Sequence, residues 1–232
     1  MHHPRLTALL DAAAPTTVGG IGEFCLDAYW TLDPTCDELS VETGKPIQRV
    51  LEQRYSPGGA SNVAANLAAL GVRVVKAFGV LGQDLFGVEL VRQLKSRRID
   101  CGAMLAQAQG WNTPVFAKPH LGEEEQRRFD FGATNVIDPG IEATLLKALR
   151  DTLPNLDALI INQQLPQGYH AGSVIEALNH IAATAPFPVI VDARHKSRAF
   201  TNAILKINAI EAAQWCGEDR DINRAIPPGD LE

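Results

Sequence analysis

The sequence predicts an α/β fold: a mainly parallel sheet with helices on both faces and a small β lid. Three observations carry the prediction. Beyond residue 140 the chain alternates, with helix at about 141–153, strand 157–162, helix 173–183, strands 189–192 and 203–207, and helix 209–216. Such alternation lays strands side by side in parallel and puts helices over both faces. Two earlier stretches, about 31–55 and 113–131, are rich in turn residues around short extended patches, and both read as lid. Finally, PGGASNVAANLAALG, Pro57 to Gly71, sets a glycine pair and an asparagine at the mouth of an apolar-faced helix, an arrangement that offers backbone and amide to a polyol.

The remaining elements follow in order. Leu6, Leu9 and Leu10 have the spacing of a short amphipathic helix rather than of a signal peptide. TTVGGIGEFCLDAYW reads as one strand that releases Asp27 at its end. Val63, Leu67 and Leu70 recur at helical spacing before Gly71, and a strand is expected over 73–80. GVLGQDLFG then gives a glycine turn and a helix with Leu90, Val91 and Leu94 inward, ending in Lys95, Arg97 and Arg98, where cations suit the helix dipole. The second lid segment reads as a hairpin, extended through Pro114 to Ala117, polar at Gly122 to Glu125 and returning through Arg128, Phe129 and Phe131.

With 232 residues, of which 46% are hydrophobic, there is enough chain for one main domain over 1–232. A net charge of -6 argues against nucleic-acid and anionic-membrane partners, whose own charge it would repel. Cys25, Cys36, Cys101 and Cys216 lie far apart without metal-ligand spacing, as expected of reduced thiols in a cytoplasmic protein.

Several residues could carry chemistry. An ionised Asp27 only accepts hydrogen bonds, so at a strand end it can hold two neighbouring hydroxyls; the plain alternative is a solvated turn aspartate. Gly58 and Gly59 let the backbone approach a ligand and reach positive φ, and otherwise form a simple turn. Asn62, in the first helical turn, either faces the ligand or caps the helix. Asn208 and Glu211 share one face at a helix start, where a carboxylate can hold magnesium through water; the alternative is a capping pair. Arg194, His195 and Lys196 follow Asp192 where open parallel sheets bind ligands, and there Lys196 could meet a phosphate. No glycine stands three residues after Gly22, so the dinucleotide fingerprint is incomplete, and Gly44-Lys45 lacks a P-loop's upstream glycine.

The order of these pieces resembles the PfkB carbohydrate kinases of the ribokinase-like fold, from about Val18 to Gly217. The likeness rests on the strand with Gly22, Glu23 and Asp27, on GGASNVAANLAALG, on GVLGQDLFG with Asp84, and on Asn208 and Glu211 in N-x-x-E spacing. It implies ATP-dependent phosphorylation of a sugar or sugar phosphate hydroxyl. Asp27, Gly58, Gly59 and Asn62 would bind substrate, Asn208, Glu211 and Lys196 would bind nucleotide, and Glu211 would hold Mg2+ through water. Ser40 to Val50 and Asp192 to Lys196 are similar to the kinase half of ADP-heptose synthases, although Thr43-Gly44-Lys45 and Gln163 to Pro166 depart from it. The substrate class therefore stays at a sugar or sugar phosphate.

Such kinases complete catalysis with a Gly-Ala-Gly-Asp segment whose aspartate takes the acceptor proton. The sequence contains none, and Gly229-Asp230 follows two prolines. The expectation is a chain missing its C-terminal portion and inactive alone, with a non-catalytic sugar-binding or regulatory module of the same fold as the alternative. By the same resemblance, lid strands would pair in a homodimer.

Overall fold

The computed structural model describes residues 4–168 and 172–217. His2, His3 and the Gly229-Asp230 pair lie outside them. In chain order the elements are α1 (Pro4–Ala13), β1 (Thr17–Gly22), β2 (Phe24–Leu32), β3 (Val50–Gly59), α2 (Ala60–Ala69), β4 (Val74–Gly82), α3 (Leu85–Ser96), β5 (Asp100–Gln107), β6 (Val115–Leu121), β7 (Glu124–Glu125) and β8 (Phe129–Phe131). There follow α4 (Pro139–Thr152), β9 (Ala158–Gln163), α5 (Gly172–Thr184), β10 (Val189–Ala193), β11 (Ile204–Leu205) and α6 (Ala209–Trp215).

Six strands form one parallel sheet in the order β11-β10-β9-β1-β4-β5. Its two faces are separate cores, and strand alternation decides which side chain joins which. Along β4, Phe78 and Val80 pack with Ile21, Leu145, Leu149, Ile161 and Leu178 under α4 and α5. Val75, Ala77 and Leu81 point the other way, to Ala60, Ala64, Leu90 and Leu94 of α2 and α3. Removing such side chains from water stabilises the fold by about 1.5–3 kcal/mol each. The expected parallel sheet with helices on both faces is therefore present.

The lid is a second sheet, ordered β3-β2-β6-β7 with β8 also on β6. β2 runs antiparallel to β3 and parallel to β6. Phe24, Leu26, Ala28, Val115 and Ala117 turn one lid face into the α2/α3 core. Period-two alternation turns Asp27, Tyr29, Phe116 and Lys118 to the opposite face.

Three local expectations need correction. The segment through Asp27 is two strands, because the chain changes sheets at Glu23, between β1 and β2. Asp27 thus lies inside β2, paired with Ser56 and Phe116 on either side. Gly22 stands at the change of sheet, still paired with Asn162, and its lack of a side chain permits the close approach to the Asn162 carbonyl there. Pro57, Gly58 and Gly59 belong to β3 rather than to a turn. Pro57 fits opposite Leu26 because the Leu26 amide donates the other way, to Pro114 O at 3.0 Å. The 203–207 strand shortens to Ile204–Leu205 at the sheet edge, followed by one further bond from Lys206 N to Val191 O. Among the described residues no helix is long and apolar enough to cross a membrane.

Candidate functional site

Because β2 continues from the C-terminal end of β1, the lid rises from the edge of the sheet where parallel α/β folds bind ligands. On its open face Asp27 accepts a hydrogen bond from Lys118 Nζ at 2.8 Å, and both side chains are about one-fifth exposed. Burial alone would lower the Lys118 pKa, but the hydrogen bond and charge of Asp27, with smaller help from Tyr29, hold the ammonium above its usual value. The Arg54 guanidinium lies 4.2 Å from the Tyr29 ring centre and Lys118 Nζ lies 5.0 Å from it. Arg128, paired with Asp130, stacks 5.0 Å from the Phe116 ring centre. The face therefore combines two carboxylates, Asp27 and Asp130, with two aromatic plates and three cations.

The glycine pair is shaped by this site. A Cβ on Gly58 would lie 3.1 Å from Asp27 Oδ2 and 3.2 Å from its Cγ, so glycine here leaves the carboxylate its place. Gly59 has φ 51° and ψ -130°, and a Cβ would stand 2.8 Å from the Glu23 carbonyl. Gly59 is the N-cap of α2 and no side chain caps that helix, so Asn62 is not the cap. Asn62 is exposed and has no side-chain hydrogen bond among the described residues.

Glu23 is the buried member of the group, 1% exposed. Its amide donates to Asn162 O at 3.2 Å, its carbonyl accepts from Ala60 N at 3.1 Å, and Oε2 accepts from Gln164 N at 2.7 Å. Cys25, fully buried beside it, has its thiol pKa pushed up by burial and then by the charges of Glu23 and Asp27, which makes it an inert neighbour.

The expected nucleotide-side residues lie along the same sheet edge. Gln163, wholly buried, accepts from the amides of His195 at 2.9 Å and Lys196 at 3.0 Å, while its Nε2 donates to Leu165 O. One side chain thus shapes both the loop after β9 and the loop carrying Lys196. Asn208 and Glu211 form a reciprocal capping box: Glu211 N donates to Asn208 Oδ1 at 2.9 Å and Asn208 N to Glu211 Oε2 at 2.8 Å. Glu211 Oε1 makes no bond among the described residues, so this carboxylate can cap and still reach a water-held cation. No group of three His, Cys, Asp or Glu side chains converges among the described residues.

Sequence reasoning missed Lys118 and Gln163 as parts of the site, and it quoted Glu23 beside Asp27 without its buried bonding role. Lys118 interrupts the apolar run of β6 on the same alternation as Phe116, which was the available signal. Gln163 had none, since its partners are 32 and 33 residues away.

This architecture, a parallel α/β sheet carrying a lid, is shared with solved structures. The likeness extends to Escherichia coli phosphofructokinase-2, with TM-score 0.68 at 17% identity, covering 93% of this chain and 66% of that one. It extends also to the Thermotoga maritima ribokinase, with TM-score 0.56 at 17% identity, covering 88% and 64%. At such identity these show the fold alone. Residues 24–227 match the pfkB family carbohydrate kinase model, and the chain belongs to that family. Curated relatives include the bifunctional protein HldE of Hyphomonas neptunium, 31% identical over 89% of this chain and 42% of that protein. Another is HldE of Haemophilus influenzae, 31% identical over 74% of this chain and 34% of that protein. The chain thus spans less than half the length of these relatives.

Proposed function

We propose that the protein serves ATP- and Mg2+-dependent phosphorylation of a hydroxyl on a sugar or sugar phosphate. The observation that carries this reading is the Asp27 carboxylate, fixed by Lys118 on the open lid face with Gly58 pressed against it. An acceptor-only group placed there binds adjacent hydroxyls, Gly58 and Gly59 bring backbone to the ligand, and Asn62 adds an amide with no other partner among the described residues. Arg54, Lys118 and Arg128 around the same face give an anionic substituent on the sugar somewhere to bind, which favours a sugar phosphate over a neutral sugar. On the nucleotide side Lys196 and Asn208 would bind the phosphates, and Glu211 would hold Mg2+ through water. Mg2+ supplies charge neutralisation between phosphates in such transfers. The sequence holds no Gly-Ala-Gly-Asp segment, so no residue is assigned as the catalytic base.

The alternative reading is a non-catalytic sugar-binding or regulatory module of the same fold. One experiment separates them: titration calorimetry and ADP formation with Mg2+ and ATP against a panel of sugars and sugar phosphates, for the wild type and Asp27→Asn. Binding with turnover, both lost in Asp27→Asn, supports the kinase. Binding without turnover supports the module, and absence of binding defeats both.

We further propose a homodimer through the lid, where β3 ends the sheet with an unpaired edge and exposed Val50 and Leu51. A reducing cytoplasmic setting is proposed from four cysteines that are all unpaired.

A further inference from the structure

The turn between β4 and α3 does more than start a helix. Asp84 precedes α3 in extended conformation, and its Oδ1 accepts from Gly87 N at 2.8 Å, an ordinary N-cap. Its second oxygen is directed elsewhere: Oδ2 accepts from Thr113 N at 2.8 Å. Thr113 is fully buried two residues before β6, and its hydroxyl accepts in return from Gly82 N at 3.0 Å. Both glycines of the turn are required by this crossing. A Cβ on Gly87 would lie 2.6 Å from Gly82 O and 2.9 Å from Thr113 Oγ1. A Cβ on Gly82 would strike the Asp84 carboxylate and come within 2.8 Å of Thr113 N.

From Thr113 the path to the acceptor face is short. Pro114 O accepts from Leu26 N at 3.0 Å, Asp27 is the next residue of β2, and Phe116 stands opposite it in the ladder. Lys118, two residues on, reaches the Asp27 carboxylate. The returning strand is held to the same base: Asn135 Oδ1 accepts from Asn112 N at 2.9 Å and Asn135 Nδ2 donates to Asn112 O at 2.8 Å.

We propose that Asp84 is a positioning residue for the acceptor face, its carboxylate latching the base of β6 to the start of α3 and so setting the register in which Lys118 meets Asp27. That the face so positioned receives a sugar rests on the reading above; the latch does not.

The test is amide hydrogen exchange of the 232-residue chain, read together with the acetylation rate of Lys118. Asp84→Asn keeps an oxygen to cap Gly87 but turns an NH2 toward the Thr113 amide, so capping and latching separate. Thr113→Val removes the return bond, leaves the cap alone, and carries the test if the first variant fails to fold. Exchange at 24–28 and 113–118 should rise about tenfold or more in Asp84→Asn, the weight of one charge-assisted hydrogen bond, and about threefold or more in Thr113→Val, the weight of the neutral return bond, with exchange across α3 within about twofold of wild type in both. Lys118 should acetylate about threefold faster or more, with Lys147, an exposed control, unchanged. Faster exchange confined to 85–90, unchanged exchange everywhere, or an unchanged Lys118 rate overturns the proposal. Neither readout involves a sugar, so the latch can fall while the reading of the site stands, and the reverse.

Discussion

The two neighbouring glycines of β3 should respond oppositely to the same substitution. At Gly59, φ 51° with ψ -130° is a conformation that alanine adopts only with strain of about 1–3 kcal/mol. The added Cβ would also press on the Glu23 carbonyl at 2.8 Å, on Cys25 Sγ at 3.1 Å and on Gln164 Cγ at 3.2 Å, an overpacking term of about 1–3 kcal/mol. Together these predict that Gly59→Ala lowers the thermal midpoint by roughly 5–20 °C, at about 2–4 °C per kcal/mol for a chain of this size. Gly58 has no such φ, and its close neighbours are the movable Asp27 Oδ2 and Cγ. Alanine in extended backbone restricts the unfolded chain by about 0.4–1 kcal/mol, which offsets the crowding and holds the midpoint within a few degrees. The carboxylate must nevertheless shift, and it cannot keep both Lys118 and a pair of sugar hydroxyls. Affinity for the sugar or sugar phosphate that the wild type binds best should fall about tenfold to a hundredfold, the weight of one charge-assisted hydrogen bond. Scanning and titration calorimetry on both variants measure the two effects. A Gly58→Ala protein that binds as tightly as wild type removes Asp27 from the acceptor site, and a Gly59→Ala protein of unchanged midpoint refutes the backbone argument.

Three further predictions concern neighbouring groups. Lys118 has its pKa raised in the fold, so the stability it contributes is complete below the ordinary lysine value of about 10.4 and is lost as pH rises through its higher folded value. The midpoint difference between wild type and Lys118→Met should therefore hold up to about pH 10 and narrow above it, and a constant difference would show that the ion pair adds no stability. Glu211→Gln can keep the capping box, so stability should change by about 0.5 kcal/mol or less while Mg2+-dependent nucleotide affinity falls about tenfold; equal affinity would leave Glu211 as a cap only. Gln163→Leu strips partners from the amides of His195 and Lys196 and from Leu165 O, each worth about 1–3 kcal/mol when left unpaired and buried. Hydrogen exchange should then rise first at 194–197, and unchanged protection there would show that water replaces the lost side chain.

The elements that declared themselves in the sequence were those governed by local rules. α2, α4 and α5 follow apolar spacing, and Gly217, with φ 81°, ends α6 as expected of a helix stop. The break at Glu23 was hidden because small and apolar residues run from Val18 to Ala28 with only Glu23 and Asp27 charged, and such a run does not say which sheet a strand belongs to. Asp27 and Gly58 were singled out separately, yet their contact depends on the β2/β3 register. The Asp27–Lys118 pair spans 91 residues, beyond any local signal. For Asn208 and Glu211 the spacing allowed a ligand site or a cap, and the structure displays the cap without consuming the whole carboxylate.

Glu23 has a mechanical consequence. A single residue separates a strand of the main sheet from the strand bearing Asp27, and its amide, carbonyl and carboxylate are bonded to β9, to α2 and to the loop after β9 respectively. The junction therefore has little torsional slack. A tilt of the lid cannot be absorbed there as a free hinge rotation, and must drag the start of α2 and the loop at Gln164 with it. Occupancy at Asp27 would then be felt as stress on the loop ordered by Gln163, and so beside Lys196, with no intermediate change of fold.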